Sequence, residues 1–179
     1  KEALAKGTRE AIVRLGKPDG FLKNAEVAIP MPESLAKVDK LLRKLGQEKK
    51  ADAFVATLNH AAEQAVPEAA SLFSEAISQM SVQDAQAILK GPDNAATEYF
   101  RKTSGSKLAE RFKPLVEAAT DKAGVTNAYK ALMDKAGPLA KALGKDTDLD
   151  TYVTDKTVDG LFKMIAAEEK LIRQDPLAR

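Results

Sequence analysis

Cysteine is absent from the 179 residues, which removes disulfides, thiolate nucleophiles and sulfur-ligated metals together. Tryptophan is absent too and aromatic residues make up only 5% of the chain, so alanine and leucine must fill the core. The single histidine, His60, excludes a two-histidine zinc site and any His-x-x-x-His motif. No uninterrupted apolar run approaches the roughly 20 residues a membrane-spanning helix needs. Neither sign of charge dominates: 28 Lys and Arg stand against 26 Asp and Glu for a net charge of +2, and the interleaved signs leave no nucleic-acid footprint. The start at Lys1, without methionine, fits a processed or trimmed N-terminus. A missing signal peptide is therefore no argument for the cytoplasm.

What is present is helical. The apolar share of 44% and charged share of 30% are those of a soluble globular protein, and the length suits a single all-helical domain over residues 1–179. No segment alternates with period two and no fixed repeat occurs. The fold expected is all-α, a compact bundle of about eight or nine helices with an irregular N-terminal arm and no sheet.

The densest signals lie between Met80 and Phe112. Ser81 and Asp84 have capping-box spacing, Ala85, Ile88 and Leu89 form an apolar face, and Gly91 with Pro92 predicts a left-handed stop. A helix from Asp93 or Asn94 is expected to carry Ala96, Tyr99, Phe100 and Thr103 on one side and end at Thr103-Ser104-Gly105. Ser106 would then cap the next helix, whose face is Leu108, Phe112, Leu115 and Val116.

Elsewhere, the first helix is expected from about Glu2 to Leu15, closed by Gly16 and Pro18. Lys17 to Pro32 reads as an ordered arm laid over the helices by Phe21, Val27 and Ile29, with a pocket lid as the other reading. A second main helix from near Glu33 shows Leu35, Val38, Leu41, Leu42 and Leu45, and a third from about Glu48 is interrupted at Pro67. Pro114 predicts a bend, Thr126 a cap, Gly137-Pro138 a break before Leu139, and Asp148 a cap ahead of Tyr152, Val153 and the last helix.

The tests for chemistry mostly fail. Asp146-Thr-Asp-Leu-Asp150 begins like a calcium loop, but Thr151 and Thr157 stand where glycine and glutamate are required. Two Ser-x-x-Lys matches, at Ser34 and Ser104, lack their companion motifs, and no phosphate loop, dinucleotide fingerprint or nucleophile elbow occurs. His60 falls outside the apolar arc of its helix and reads as solvated. Two polar features remain. Arg101-Lys102-Thr103-Ser104-Gly105-Ser106-Lys107 combines bases, hydroxyls and an expected helix N-terminus, as an anion site requires. Glu169 falls inside the apolar stripe between Ile165 and Ile172, where a carboxylate must find a partner such as Arg173. The weak ligand-binding set is thus Tyr99, Arg101, Thr103, Ser106, Lys107 and Glu169; no catalytic residue, metal ligand or cofactor is expected.

In order along the chain, Leu15-Gly-Lys-Pro-Asp-Gly-Phe21, Ile29-Pro-Met-Pro32, Asn59-His-Ala-Ala-Glu63, Asp84-Ala-Gln-Ala-Ile-Leu-Lys-Gly91, Ala95-Ala-Thr-Glu-Tyr-Phe-Arg101, Asp148-Leu-Asp-Thr-Tyr-Val-Thr154 and Asp159-Gly-Leu-Phe-Lys-Met-Ile-Ala166 resemble an uncharacterised bacterial domain-of-unknown-function family of exported all-helical proteins. The resemblance implies a periplasmic or cell-envelope location, with peripheral envelope association, and implies no activity. It also implies arginine at the position of His60 and a basic, apolar continuation past Arg179. The expectation is a non-enzymatic partner-binding or envelope-associated module acting through a helical face and the Phe21–Pro32 arm. The alternatives are a carrier of a small apolar or anionic ligand held near Tyr99, Arg101 and Glu169, and a carboxylate-dependent enzyme.

Overall fold

Apolar residues three and four apart give most segments one buried face, and those faces determine which helices meet. The computed structural model describes residues 1–143 and 148–175, side chains of 139–143 excepted. In order they form α1 (Glu2–Leu15), α2 (Ala36–Lys44), α3 (Glu48–Ala65), α4 (Ala69–Gln79), α5 (Val82–Lys90), α6 (Ala95–Ala123), α7 (Val125–Leu143) and α8 (Leu149–Gln174). Short 3-10 turns at Glu33–Leu35 and Val66–Glu68 lead into α2 and α4. There is no strand among the described residues.

The centre is α3, α6 and α8 packed on one another, with α1 on α8, α4 on α1, and α2 and α7 on α3. Phe21, Phe54, Phe100, Phe112 and Phe162 are its largest fully buried side chains. Ala61, Ala62 and Ala65 of α3 are buried as well, and such small residues let neighbouring helices approach closely. Phe21, Val27 and Ile29 of the arm are buried as their apolar character predicts.

Local signals place several boundaries correctly. Ser81 and Asp84 form a reciprocal capping box on α5, Asp148 accepts from the Thr151 N–H at the start of α8, and Gly137 leaves helical geometry at φ 81°, ψ −174°. Other boundaries differ. No corner exists at Thr103-Ser104-Gly105, since α6 runs unbroken from Ala95 through Gly105 and Pro114 to Ala123. Phe100, Leu108, Phe112 and Val116 lie on one buried stripe, and burying it outweighs the roughly 1 kcal/mol a mid-helix glycine costs. Ser106 is therefore inside a helix and caps nothing.

Gly91 is extended at φ −84°, ψ 178°, because the residue before a proline is pushed out of helical geometry. Thr126 does not cap α7. Gly124, left-handed at φ 75°, closes α6, and its carbonyl already accepts the Ala128 N–H of the next helix. Tyr152 and Val153 lie inside α8. Leu45, one residue past the end of α2, and Leu89 on α5 are exposed, not buried. Leu139 and Asp146 lie outside what is described.

Candidate functional site

Glu169 on α8 is the most constrained candidate. Its residue is only 5% exposed. One carboxylate oxygen accepts the Ala96 N–H at 2.8 Å; the other accepts the Thr97 N–H at 2.9 Å and the Thr97 hydroxyl at 2.8 Å. Arg173, one turn on, donates to Glu169 Oε1 through Nε at 3.1 Å and Nη2 at 2.8 Å. The same guanidinium reaches the carbonyls of Ile88 at 2.8 Å and Gly91 at 3.4 Å. The anion therefore meets the positive end of α6 and the cation meets the negative end of α5. One ion pair closes both sides of the corner between them.

The other candidates are strung along α6. Tyr99 stacks edge-on against Phe100 with ring centroids 5.5 Å apart. Burial and its hydrogen bond to Asp84 both push the phenol upward from its ordinary pKa. Arg101 lies 4.7 Å over the Phe162 ring and 3.5 Å from Asp159. The Thr103 hydroxyl donates to the Tyr99 carbonyl at 2.7 Å, and Ser106 and Lys107 are exposed. Ala96 and Lys107 are separated by roughly 16 Å of helix at the usual rise per residue, so these six side chains do not converge on one ligand-sized space. With no helix end near Gly105, the expected anion site also lacks its backbone donors.

Two polar residues that the sequence reading passed over prove equally buried. Asn59 on α3 accepts the Ile29 N–H at 2.7 Å and donates to the Ile29 carbonyl at 2.8 Å, in the manner of a neighbouring strand. Glu63, one turn on, accepts the N–H groups of Asp19, Phe21 and Leu22 at 3.1, 3.1 and 3.2 Å. These backbone groups belong to an irregular segment that cannot satisfy them itself, and α3 does so. Phe21 then lies on Gly160 of α8, where an added Cβ would come within 2.9 Å of the ring. The Tyr152 hydroxyl donates to the Pro30 carbonyl at 2.9 Å. The arm is fastened along its length, and these contacts are those of packing. A polar residue between apolar ones on the α3 face was the available signal, the same one that exposed Glu169.

His60 is half-buried, not fully solvated as expected, because its ring packs near the arm, 3.7 Å from Asp19. A hydrogen bond from Lys23, aided by that ring, holds the Asp19 carboxyl below its ordinary pKa. Glu75, Asp84 and Asp148 are also lowered, chiefly by bonds from Arg111, Ser81 and Thr151 respectively. Among the described residues there is no group of three or more His, Cys, Asp or Glu able to hold a metal.

Open space lies elsewhere. A cavity of about 10 Å³ sits in the core beside Phe73, Phe112 and Phe162. A wider groove of about 370 Å³ opens between α1 and α8, lined by Glu2, Ala3, Lys6, Gly7, Glu10, Glu168, Leu171, Ile172 and Asp175. Gly7 brings the helices together at its floor, since a Cβ there would meet Ile172 Cδ1 at 2.9 Å. The groove contains none of the six residues singled out from the sequence.

Among known proteins, the family described as Protein of unknown function (DUF4197) matches residues 1–179. No curated protein and no solved structure matches.

Proposed function

The chain belongs to the family Protein of unknown function (DUF4197) over its whole length, and for this member we propose a non-enzymatic, exported helical module that binds a partner in the cell envelope. The observation that carries the reading is the α1/α8 groove, which sets the partly buried Ile172 beside Leu171, itself 56% exposed, on the molecule's surface. Monomeric proteins generally cover such surface, and where it is concave it commonly receives another molecule. The buried polar groups, by contrast, are engaged in holding the fold: Asn59 and Glu63 bind the arm, and Glu169 and Arg173 bind the α5–α6 corner. Among the described residues, each carboxylate with a displaced pKa moves toward ionisation, whereas acid–base catalysis by two carboxylates needs one held protonated. The envelope location follows from the exported character that the family resemblance implies.

The groove's volume, about 370 Å³, also falls in the usual range for small-ligand sites of about 300–1,000 Å³, which favours a carrier as the second reading. Native mass spectrometry of protein purified gently from its own envelope, compared with the denatured sample, separates the two. A bare mass together with crosslinks to an envelope protein is the expected result. A small-molecule mass lost on denaturation establishes the carrier instead, and turnover of a substrate by the purified chain would overturn both.

A further inference from the structure

Resting on that reading, we propose that the partner of the α1/α8 groove is a basic amphipathic helix, seated with its aliphatic side on the groove floor and its lysines or arginines against the rim. The floor is apolar: Ala3 and Gly7 from α1, Leu171 and Ile172 from α8. The rim is acidic. Glu2, Glu10, Glu168 and Asp175 line it against Lys6 alone among bases, although the protein as a whole carries a net charge of +2. The excess of acids over bases is thus local to the groove lining. Helix dipoles do not add to that charge, because the positive end of α1 and the negative end of α8 meet here and offset each other.

Glu168 is the rim acid that already has a cation beside it. It is nine-tenths buried, and its Oε1 accepts no hydrogen bond among the described residues. The nearest cation is Arg14, whose Nη1 is 3.0 Å away and whose side chain is itself more than half exposed. That oxygen is closed to solvent and faces Arg14, so the rim charge open to an incoming cation is that of exposed Glu2 and Glu10. An apolar floor with such a rim is how grooves receive amphipathic helices, the floor giving affinity and the charges giving orientation and choice of partner. The same acids repel an anionic membrane surface, so the occupant is a protein segment and not lipid headgroups.

The test uses the whole chain and three fluorescent peptides of one helical leucine pattern whose polar face is lysine, glutamine or glutamate. Binding is followed by anisotropy and mapped by amide chemical shifts. The lysine peptide is expected to bind at least tenfold more tightly than the glutamate peptide and to perturb the amides of Ala3, Gly7 and Leu171. Exposed Glu2 and Glu10 can be reversed without touching the core, so E2K/E10K is expected to weaken binding at least tenfold. E110K, on the distant α6 surface, changes charge and leaves binding alone. Equal affinity for all three peptides, shifts mapping outside the groove, insensitivity to E2K/E10K, or occupation of the groove by a second copy of the chain would each overturn the proposal. Crosslinking to an envelope partner that survives E2K/E10K would overturn it while leaving the binding function standing.

Discussion

Glu169 places a carboxylate among the apolar side chains of α8, where water cannot satisfy it. Its place inside the apolar stripe of α8 announced a carboxylate needing a partner, and Arg173 is that partner at 2.8 Å. What the spacing could not reveal is that Ala96 and Thr97, more than seventy positions earlier, supply two backbone donors. Glu169→Ala removes the acceptor of the Ala96 and Thr97 N–H groups and the carboxylate partner of Arg173, and removal of one member of such a pair costs about 3–5 kcal/mol; urea unfolding of the variant measures it. Asn59 can be tested in the same way. Asn59→Leu leaves both polar groups of the buried Ile29 backbone unpaired, at about 1–3 kcal/mol for each group. The arm, being what Asn59 fastens, is expected to lose amide-exchange protection before the helices do. Exchange unchanged at Ile29 would mean that Phe21 and Val27 hold the arm without it.

At the scale of elements, α6 is where local and global preferences conflict. Thr103-Ser104-Gly105-Ser106 has the composition of a corner, yet the stripe from Phe100 to Val116 continues through it. Gly105 consequently sits in a helix interior where an added Cβ meets nothing nearer than Arg101 Cγ at 4.0 Å. Gly105→Ala is expected to stabilise the protein by up to about 1 kcal/mol, the difference in helix propensity between the two residues. A corner at that position would give the opposite sign, so thermal unfolding of this variant distinguishes the two structures. Gly160→Ala is the contrasting case. It drives a methyl group into the Phe21 ring, with a contact of 2.9 Å, and overpacking of this kind costs about 1–3 kcal/mol.

Over the whole molecule, stability should follow the acids at the surface. Asp84 and Asp148, lowered chiefly by the Ser81 and Thr151 hydrogen bonds at their helix starts, titrate below their unfolded values when folded. Glu75, held down by Arg111, does the same. A lowered folded pKa contributes stability that is complete above the unfolded value and lost as pH falls through the folded one. The urea midpoint is therefore expected to be level from about pH 5 to 7 and to fall below about pH 4. Asp84→Asn with Asp148→Asn should lower the midpoint at pH 7 and flatten the acid limb; an unchanged limb would show that other groups govern it. By itself the sequence determined the helical class, the ends of α1, the caps at Ser81 and Asp148 and the burial of the arm's apolar residues, because each depends on neighbours within one or two turns. Only the tertiary structure decided that α6 is continuous, that Asn59 and Glu63 hold the arm, and that α1 and α8 enclose an acid-rimmed groove. Those outcomes depend on side chains meeting across long sequence separations, where burial and charge pairing outweigh the modest preferences of individual residues.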